Sequence, residues 1–256
     1  MNLNNSEYFG FVKGEKKSGL VRITSQDEGI FLGEWENFSK KKGIYLFPGQ
    51  KELFWGEWVN EAKTQGVYIW NKGDSEENVT LEAFIGEFRN GNISRGLHFS
   101  REYIGQNYDD YFYLGKFDHN GAKSDNNAIC YNKATQNFFI GEIQSNEKVR
   151  GLSNIFVANK KSSIKIKIDS KNGNRFYENI SSSDDEQKLK DSFTEFSKMV
   201  GDHLYEDLKS LFDSLRKEIL EPRTEDNLCK DKLESLTFKF NENYTKKLFS
   251  CLRLNK

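Results

Sequence analysis

The stretch that decides the fold is Phe31-Leu32-Gly33-Glu34-Trp35, followed by Gly43-Ile44-Tyr45. The first phrase has an apolar residue two positions before a glycine and another two positions after it, and the residue directly after the glycine is usually acidic. This phrase occurs six times. Its glycines are Gly10, Gly33, Gly56, Gly86, Gly115 and Gly141. Their separation runs from 23 residues (Gly10 to Gly33) to 30 residues (Gly56 to Gly86), a period typical of repeat proteins. The chain is therefore predicted to repeat one supersecondary unit.

Strand alternation gives the phrase a physical meaning. Residues two before and two after the glycine share its face of a strand, and this face, the ring face, carries aromatic residues such as Phe31 and Trp35. We expect the glycine to leave a gap that a ring of the next copy fills. The opposite face is expected to be wet, because the residue after the glycine is acidic in four copies. These residues are Glu34, Glu57, Glu87 and Glu142.

A second glycine phrase supplies the returning strand, as in Gly43-Ile44-Tyr45 and Gly66-Val67-Tyr68. The fifth copy lacks this glycine and has Asn127-Ala128-Ile129-Cys130-Tyr131 instead. Each copy is therefore predicted to be one β-hairpin. A single hairpin cannot bury its ring face, so the copies must stack.

The pattern resembles the MORN repeat, which has Tyr-x-Gly-x-Trp/Phe on the first strand and Gly-x-Gly on the second. The resemblance covers residues 7–158 and is clearest in 31–45 and 54–68, although the second strand here has one glycine and Phe often replaces Tyr. It implies an elongated antiparallel sheet with an aromatic-lined groove, a binding or scaffolding surface without catalytic residues.

The predicted fold is a mainly β repeat, an elongated antiparallel β-hairpin sheet, followed by an α-helical hairpin. Residues 1–158 form the six repeats. Residues 159–180 are predicted to form a capping β-hairpin around Asn172-Gly173, which shields the last open edge of the sheet. Residues 184–256 are predicted to form two amphipathic helices, paired as a helical hairpin or a coiled coil.

The first tail helix is predicted from apolar residues spaced by three and four over 189–219. Ser183 is expected to be its N-cap, with Glu186 completing a capping box, and Gly201 is expected to kink or break it. A second helix is predicted to begin near Thr224. We expect the first helix to dock on the ring-lined sheet; the alternative is that it projects and dimerises.

Composition excludes several classes of protein. The 38 basic and 39 acidic residues leave a net charge of −1, which argues against capture of nucleic acid as the main role. Three scattered cysteines predict neither a disulfide framework nor a zinc site, and they favour a reducing compartment. The chain starts without a secretory signal pattern, so a cytoplasmic location is expected.

No catalytic, metal or cofactor site is predicted. His98, His119 and His203 are isolated from other metal-ligating residues, and no nucleotide-binding or hydrolase motif occurs. The basic residues of 160–175 precede Phe176 and Tyr177, a combination that could contact nucleic acid or acidic lipid. The favoured interpretation of this stretch is a solvated hairpin face.

The favoured function is a non-catalytic scaffold or adaptor, which binds protein partners through the aromatic-lined groove and assembles through its C-terminal helices. The resemblance implies a cytoskeletal or ciliary complex as its setting. The alternative is a peripheral membrane tether that binds phospholipid. The residues expected to anchor a partner or form the repeat core are Trp35, Tyr45, Trp58, Trp70, Phe88, Tyr113 and Phe117.

Overall fold

The computed structural model describes residues 2–3, 6–10, 19–25, 27–73, 80–104, 107–157, 160–168 and 175–221. Within these ranges the chain is mainly β, as predicted. The strands are β1 (Asn2–Leu3), β2 (Ser6–Gly10), β3 (Gly19–Ser25), β4 (Gly29–Glu36), β5 (Ser39–Leu46), β6 (Glu52–Val59), β7 (Ala62–Asn71), β8 (Leu81–Arg89), β9 (Asn92–Ile104), β10 (Asn107–Lys116), β11 (Asp125–Asn132), β12 (Asn137–Gln144), β13 (Glu147–Val157), β14 (Lys160–Ile168) and β15 (Arg175–Asn179). The helices are α1 (Ser183–Val200) and α2 (Leu204–Leu220).

The described elements divide between two compact units. The first unit holds β1 to β8 together with α2, and the second holds β9 to β15 together with α1. Within each unit the strands pair antiparallel in chain order. The predicted architecture of antiparallel hairpins followed by helical segments is confirmed.

The repeat glycines stand opposite one another across the ladder. In the first unit Gly33 pairs with Gly43, Gly43 with Gly56, and Gly56 with Gly66, and Gly66 pairs in turn with Gly86. One uninterrupted row of glycines therefore crosses five neighbouring strands of this unit.

The second unit repeats the row with one exception. Gly96 pairs with Gly115, and Gly141 pairs with Gly151. In the copy that lacks its glycine, Ala128 pairs with Gly141 and is completely buried. A small side chain therefore takes this position in the fifth copy, and in the first copy Val21 takes it, where it pairs with Gly10 and Gly33.

The gap over the glycines is filled differently from the expectation. The Cζ atom of Phe54 lies 2.6 Å from the position that a Cβ atom of Gly56 would occupy, and 2.9 Å from that of Gly66. The ring comes from the same copy, two residues before the glycine, because the side chain leans along its own strand. The prediction that a ring of the next copy fills the gap is wrong, although rings of successive copies do contact one another.

The hairpin turns are tight and share a backbone conformation. Both residues of the turns Asn37-Phe38, Asn60-Glu61 and Ser145-Asn146 have positive φ, between 48° and 70°. Two consecutive residues with positive φ are characteristic of the type I′ turn, whose twist matches that of the paired strands. The turns therefore connect neighbouring strands directly and keep each copy compact.

The face opposite to the ring face, here called the helix face, is apolar next to the glycine row. In the first unit it carries one aligned row of buried residues: Leu32, Ile44, Trp55, Val67 and Ile85. Helix α2 packs on β4, β5 and β8. The Nε atom of Arg22, which pairs with Leu32, donates to the carbonyl of Ile219 at 3.3 Å.

This arrangement corrects two expectations. The tail helix does dock on its sheet, but α2 lies on the helix face and not on the ring face, because the residue before each glycine is a large apolar group. The helix face is also not uniformly wet. Glu34, Glu57 and Glu87 are exposed, whereas Glu142 is only half-exposed and lies 3.6 Å from Arg150.

Helix α1 covers the corresponding face in the second unit. It packs on β12 and β13, and Phe193 lies with its ring centroid 5.2 Å from that of Phe138. Phe196 lies 6.0 Å from both Phe112 and Phe138. Each unit is therefore a β layer with one helix on one side.

The first predicted tail helix is two helices. Gly201 separates them with a φ of 69°, so the expected break is confirmed. The N-cap of α1 is Ser182, whose Oγ accepts from the backbone N–H of Asp185, and not Ser183, which is the first helical residue. Consecutive serines make both registers compatible with the capping pattern. The second predicted helix lies outside the described residues.

The predicted capping hairpin corresponds to β14 and β15. Their pairing places Ile166 opposite Tyr177, and the turn at Asn172-Gly173 lies outside the described residues. Phe176 and Tyr177 remain exposed. Among the described helices, neither α1 nor α2 is both long and apolar enough to cross a bilayer.

Candidate functional site

Aromatic rings of successive copies interlock on the ring face of the first unit. Phe31 makes an edge contact with Trp58 of the next copy, with centroids 5.4 Å apart. Phe54 contacts Trp58 of its own copy at 4.8 Å and Phe88 of the next copy at 5.2 Å. Each ring before a glycine thus packs against the ring after the glycine in its own and in the following copy. Edge-to-face contacts of this kind favour a fixed geometry.

Beside this ladder lies a row of half-buried rings: Tyr45, Phe47, Tyr68 and Trp70. Trp35, also half-buried, is the ring after the glycine of its own copy and lies 6.2 Å from Phe31. Phe47 joins the two tyrosines, with its centroid 4.7 Å from Tyr45 and 5.5 Å from Tyr68. Trp70 lies 5.0 Å from Tyr68. These rings are held by the sheet but keep part of their surface open, which is the property of side chains that can also contact a partner.

Polar atoms at the tips of these rings are tied to acidic residues or backbone. The hydroxyl of Tyr45 donates to the carbonyl of Glu28, and the hydroxyl of Tyr68 donates to Glu52. Nε1 of Trp70 donates to Glu82 at 3.0 Å. The rings are therefore fixed in orientation.

Burial and neighbouring carboxylates change the titration of the tyrosines. Burial, with a smaller contribution from Glu28 and Glu61, raises the pKa of Tyr45. Burial and the hydrogen bond to Glu52 raise the pKa of Tyr68 well above its ordinary value. Both hydroxyls therefore stay protonated and act as donors over the physiological range.

Four lysines lie over rings at corresponding points of different copies. Lys40 lies 5.9 Å from the ring centroid of Phe31, and Lys63 lies 5.6 Å from that of Phe54. In the second unit the corresponding lysines are Lys123, 5.2 Å from Tyr113, and Lys148, 4.9 Å from Phe139. In each case the ring is the one two residues before the repeat glycine, so the cation is a repeated feature.

A β-bulge places three of these lysines, Lys40, Lys63 and Lys148, on the ring face. In the third copy the register shifts between Glu57 and Trp58, so that Trp58 pairs with Lys63. Strict alternation from Gly66 would put Lys63 on the helix face, and the extra residue of the bulge reverses this. The same shift pairs Trp35 with Lys40 in the second copy.

Lys63 is the most enclosed of these cations in the first unit. Its Nζ lies 4.5 Å from the centroid of Tyr68, 5.3 Å from Phe47, and 5.6 Å from both Phe54 and Phe88. Burial lowers its pKa, and attraction to Glu52 partly offsets this effect. The aromatic faces stabilise the ammonium electrostatically but accept no conventional hydrogen bond from it.

A cleft of about 370 Å³ opens next to Lys63, and we call it the lysine cleft. Its walls are formed by aromatic rings, two of them half-buried and two buried, and by the hairpin turns. The lining residues are Lys40, Tyr45, Phe47, Phe54, Trp58, Asn60, Glu61, Ala62, Lys63, Asn90 and Gly91. The ammonium of Lys40 pairs with Glu61 at 2.7 Å, so one of the two cations in the cleft is already compensated.

The predicted anchor residues fall into two groups. Trp58, Phe88 and Tyr113 are 5%, 7% and 1% exposed and belong to the packed core. The others, Trp35, Tyr45, Trp70 and Phe117, are half-buried. Within the first unit, Tyr45 and Trp58 both line the lysine cleft. Tyr113 and Phe117 belong to the second unit, with centroids 5.0 Å apart.

Sequence reasoning missed Phe47, Tyr68 and the lysines. A signal was present, because a lysine stands seven residues after the glycine at Lys40, Lys63 and Lys148. The equivalent residue of the first copy, Lys17, lies outside the described residues. Strict strand alternation assigns these lysines to the helix face. Their regular spacing therefore does not indicate a site on the ring face unless the bulge is known.

The ring face of the second unit contains a buried apolar cluster. Tyr113, Phe139, Ile143 and Ile164 form a buried cluster with Cys130 packed against it. Burial raises the pKa of the Cys130 thiol, which keeps it protonated and poorly reactive. This cluster is a core rather than a binding surface.

Two buried carboxylates of the second unit are satisfied internally. Asp110 receives two hydrogen bonds from Arg101, at 2.6 and 2.9 Å. Asp109 accepts from the side chain of Asn132 at 2.6 Å and from the backbone of Ala134 at 3.1 Å. They fix the ends of β10 and β11 and are structural.

Across the described residues, no group of three or more His, Cys, Asp or Glu side chains is placed to hold a metal ion. His98 lies with its ring centroid 6.2 Å from that of Phe117 and belongs to the packing of the second unit. The lysine cleft, with its rings and its enclosed cation, is the site whose chemistry is best defined.

No protein-family model matches the chain, and no curated protein sequence matches it either.

Proposed function

We propose that the protein is a non-catalytic binding protein, a scaffold or adaptor whose ring face in the first unit holds a segment of a protein partner. The observation that carries the proposal is that a helix covers one face of the sheet of this unit, whereas the other face has a cleft lined by aromatic rings. Helix α2 covers the helix face, whereas half-buried rings on the ring face surround a cleft of about 370 Å³.

The chemistry of these rings supports binding of protein. Tyr45, Tyr68 and Trp70 are amphipathic and are held in place by hydrogen bonds, so little conformational entropy is lost when a partner covers them. Tyr and Trp are the residues enriched at the centres of protein interfaces. The resemblance to MORN repeats also favours a binding surface and, as a setting, a cytoplasmic complex of the cytoskeleton or cilium.

The experiment compares partners captured from cell extract by the full chain and by ring-face variants. Trp35→Ala and Phe47→Ala each remove a half-buried ring, and Phe176→Ala removes an exposed ring of β15 as the matched control. We expect the two ring-face variants to lose the same set of co-purifying proteins that the control retains. Thermal unfolding checks that all variants are folded.

The proposal fails if all three variants capture the same proteins as the unchanged chain. Flotation with phosphatidylserine vesicles separates it from a lipid tether. Binding to vesicles at physiological salt, abolished by Phe47→Ala, with no protein captured, would replace the scaffold by the tether.

A further inference from the structure

Lys63 is a partly desolvated cation without an ion pair among the described residues. No carboxylate oxygen of these residues lies within 4.0 Å of its Nζ. Its neighbours are the four rings already described, and Glu52, which attracts it from a greater distance, accepts a hydrogen bond from Tyr68. An ammonium has three N–H donors, and the aromatic faces around it offer them no oxygen acceptor.

Among the described residues of the lysine cleft, Lys63 is the cation that has no ion-pair partner. Lys40 is paired with Glu61, which also accepts the backbone N–H of Lys40 at 3.0 Å. The lining contributes neutral donors in the side-chain amides of Asn60 and Asn90. The cleft therefore combines one open positive charge, amide groups and aromatic walls.

The structure assigns the lysine cleft as a carboxylate-binding site, in which Lys63 pairs with a Glu or Asp side chain of the bound protein segment. This inference rests on the proposed function and names the chemistry of the partner. A carboxylate accepts two or more hydrogen bonds and brings the single negative charge that Lys63 lacks. Its pairing with a partly desolvated ammonium is stronger than the same pair in open water.

Size and charge favour a peptide carboxylate over a phospholipid head group. The cleft volume of about 370 Å³ is near the lower end of ligand pockets, about 300–1,000 Å³, and suits one or two side chains. The chain has a net charge of −1, so it has no excess positive charge for the extended negative surface of an anionic bilayer, whereas a peptide segment brings one carboxylate to Lys63.

The test is a peptide array probed with the full chain. Each heptapeptide has a central Glu or Gln between apolar or aromatic residues, and the Glu and Gln members are otherwise identical. We expect Glu peptides to bind about tenfold more tightly than their Gln partners, since a hydrogen bond to a charged group is worth about 1.5–3 kcal/mol, at least about a factor of ten. Lys63→Met should remove this preference, and Lys63→Arg should keep it.

Lys123→Met is the matched control, because Lys123 also lies over a ring, in the second unit. It should leave the preference for Glu unchanged. A second measurement uses the unaltered chain and does not depend on a variant folding: acetylation of lysines by acetic anhydride, read by mass spectrometry. A Glu heptapeptide should protect Lys63, its Gln partner should not, and Lys123 should react equally with both.

The outcomes separate the inference from the proposed function. Peptide binding without a preference for Glu, or a preference that survives Lys63→Met, overturns the carboxylate site and leaves the binding function standing. Absence of binding to every peptide overturns both. Binding of phosphatidylserine vesicles that is lost in Lys63→Met, without peptide binding, also overturns the inference and identifies the anion as a lipid head group.

Discussion

Gly56→Ala is the sharpest test of the glycine row. A Cβ atom at this position would lie 2.2 Å from the carbonyl oxygen of Gln65, 2.8 Å from the Cα of Gly66 and 2.6 Å from the ring of Phe54. Ordinary contact begins at 3.4 Å, so the two strands would have to separate by about 1.2 Å, the difference between the two distances, at the point where they pair.

The expected cost is about 2–4.5 kcal/mol. Separation weakens the ladder hydrogen bonds on either side of the glycine pair, which are worth about 1 kcal/mol each. Displacement of Phe54 from its packed position adds about 1–3 kcal/mol, the usual cost of overpacking. The lower entropy of the unfolded chain with alanine recovers about 0.4–1 kcal/mol. A loss of this size is a large part of the stability of an ordinary domain, about 5–15 kcal/mol.

The assay is urea unfolding of the full chain, followed by tryptophan fluorescence. Gly49→Ala is the matched control, since Gly49 has a positive φ of 79° but nothing within 4 Å of the added Cβ. It should cost only about 1 kcal/mol, through backbone strain alone. A loss below about 1 kcal/mol in Gly56→Ala, or equal losses in both variants, would refute the close approach of the glycines as the reason for the repeat.

Three further outcomes follow from the packing and the charges. Leu208→Ala removes a fully buried side chain of α2 and should lower the free energy of unfolding, measured by urea titration, by about 2–5 kcal/mol. The control Lys209→Ala changes an exposed residue and should alter this free energy by less than about 0.5 kcal/mol. Similar small losses in both variants would contradict the docking of α2. The raised pKa of Tyr68 keeps it protonated in the folded chain, whereas the unfolded tyrosine ionises near 10.0, so the contribution of Tyr68 to the free energy of unfolding is complete below that pH and is lost above it. Tyr68→Phe should therefore reduce the fall of this free energy at alkaline pH. An unchanged dependence on pH would exclude Tyr68 as the source of the fall. Phe38→Gly replaces an exposed residue with a φ of 64° and should raise the free energy of unfolding by about 1 kcal/mol, whereas a decrease would show that the ring contributes more than the turn strain costs.

The hairpin ladder was predictable from the sequence because glycine leaves an unambiguous trace. The phrases around Gly33 and Gly43 recur at intervals of 23 to 30 residues, and antiparallel pairing through a short turn brings the two glycines opposite each other. Two copies have another buried residue at this position of the row, Ala128 in the fifth copy and Val21 in the first.

The side of the sheet on which the helix docks was harder to predict, since both faces offer apolar residues. The rings two positions before and after the glycine make the ring face apolar. The residue directly before the glycine, such as Leu32 or Ile85, makes the helix face apolar as well. Helix α2 docks on the helix face because it can bury a continuous row of apolar residues there, next to exposed glutamates such as Glu57. The apolar character of that position in successive copies was the available signal.

The candidate site was only half predictable, and the bulge is the physical reason. Half of it, the aromatic residues such as Tyr45 and Trp58, follows from strict alternation from the glycine. The other half follows from a register shift of one residue, which moves Lys63 to the ring face. The shift adjoins the turn Asn60-Glu61, whose two positive φ angles set the twist of the hairpin.

The bulge therefore links the fold of each copy to the charge of its surface. Lys40 and Lys63 reach the ring face because of the same local geometry, yet only Lys40 has a partner, Glu61, which stands in the turn of the next copy. At the position equivalent to Glu61 the next turn has Gly91, which offers Lys63 no carboxylate. A chain of identical repeats would pair every lysine with the following turn and leave no open charge. The degeneracy of the repeats is thus what creates a distinct site on an otherwise uniform face, and it places that site at Lys63.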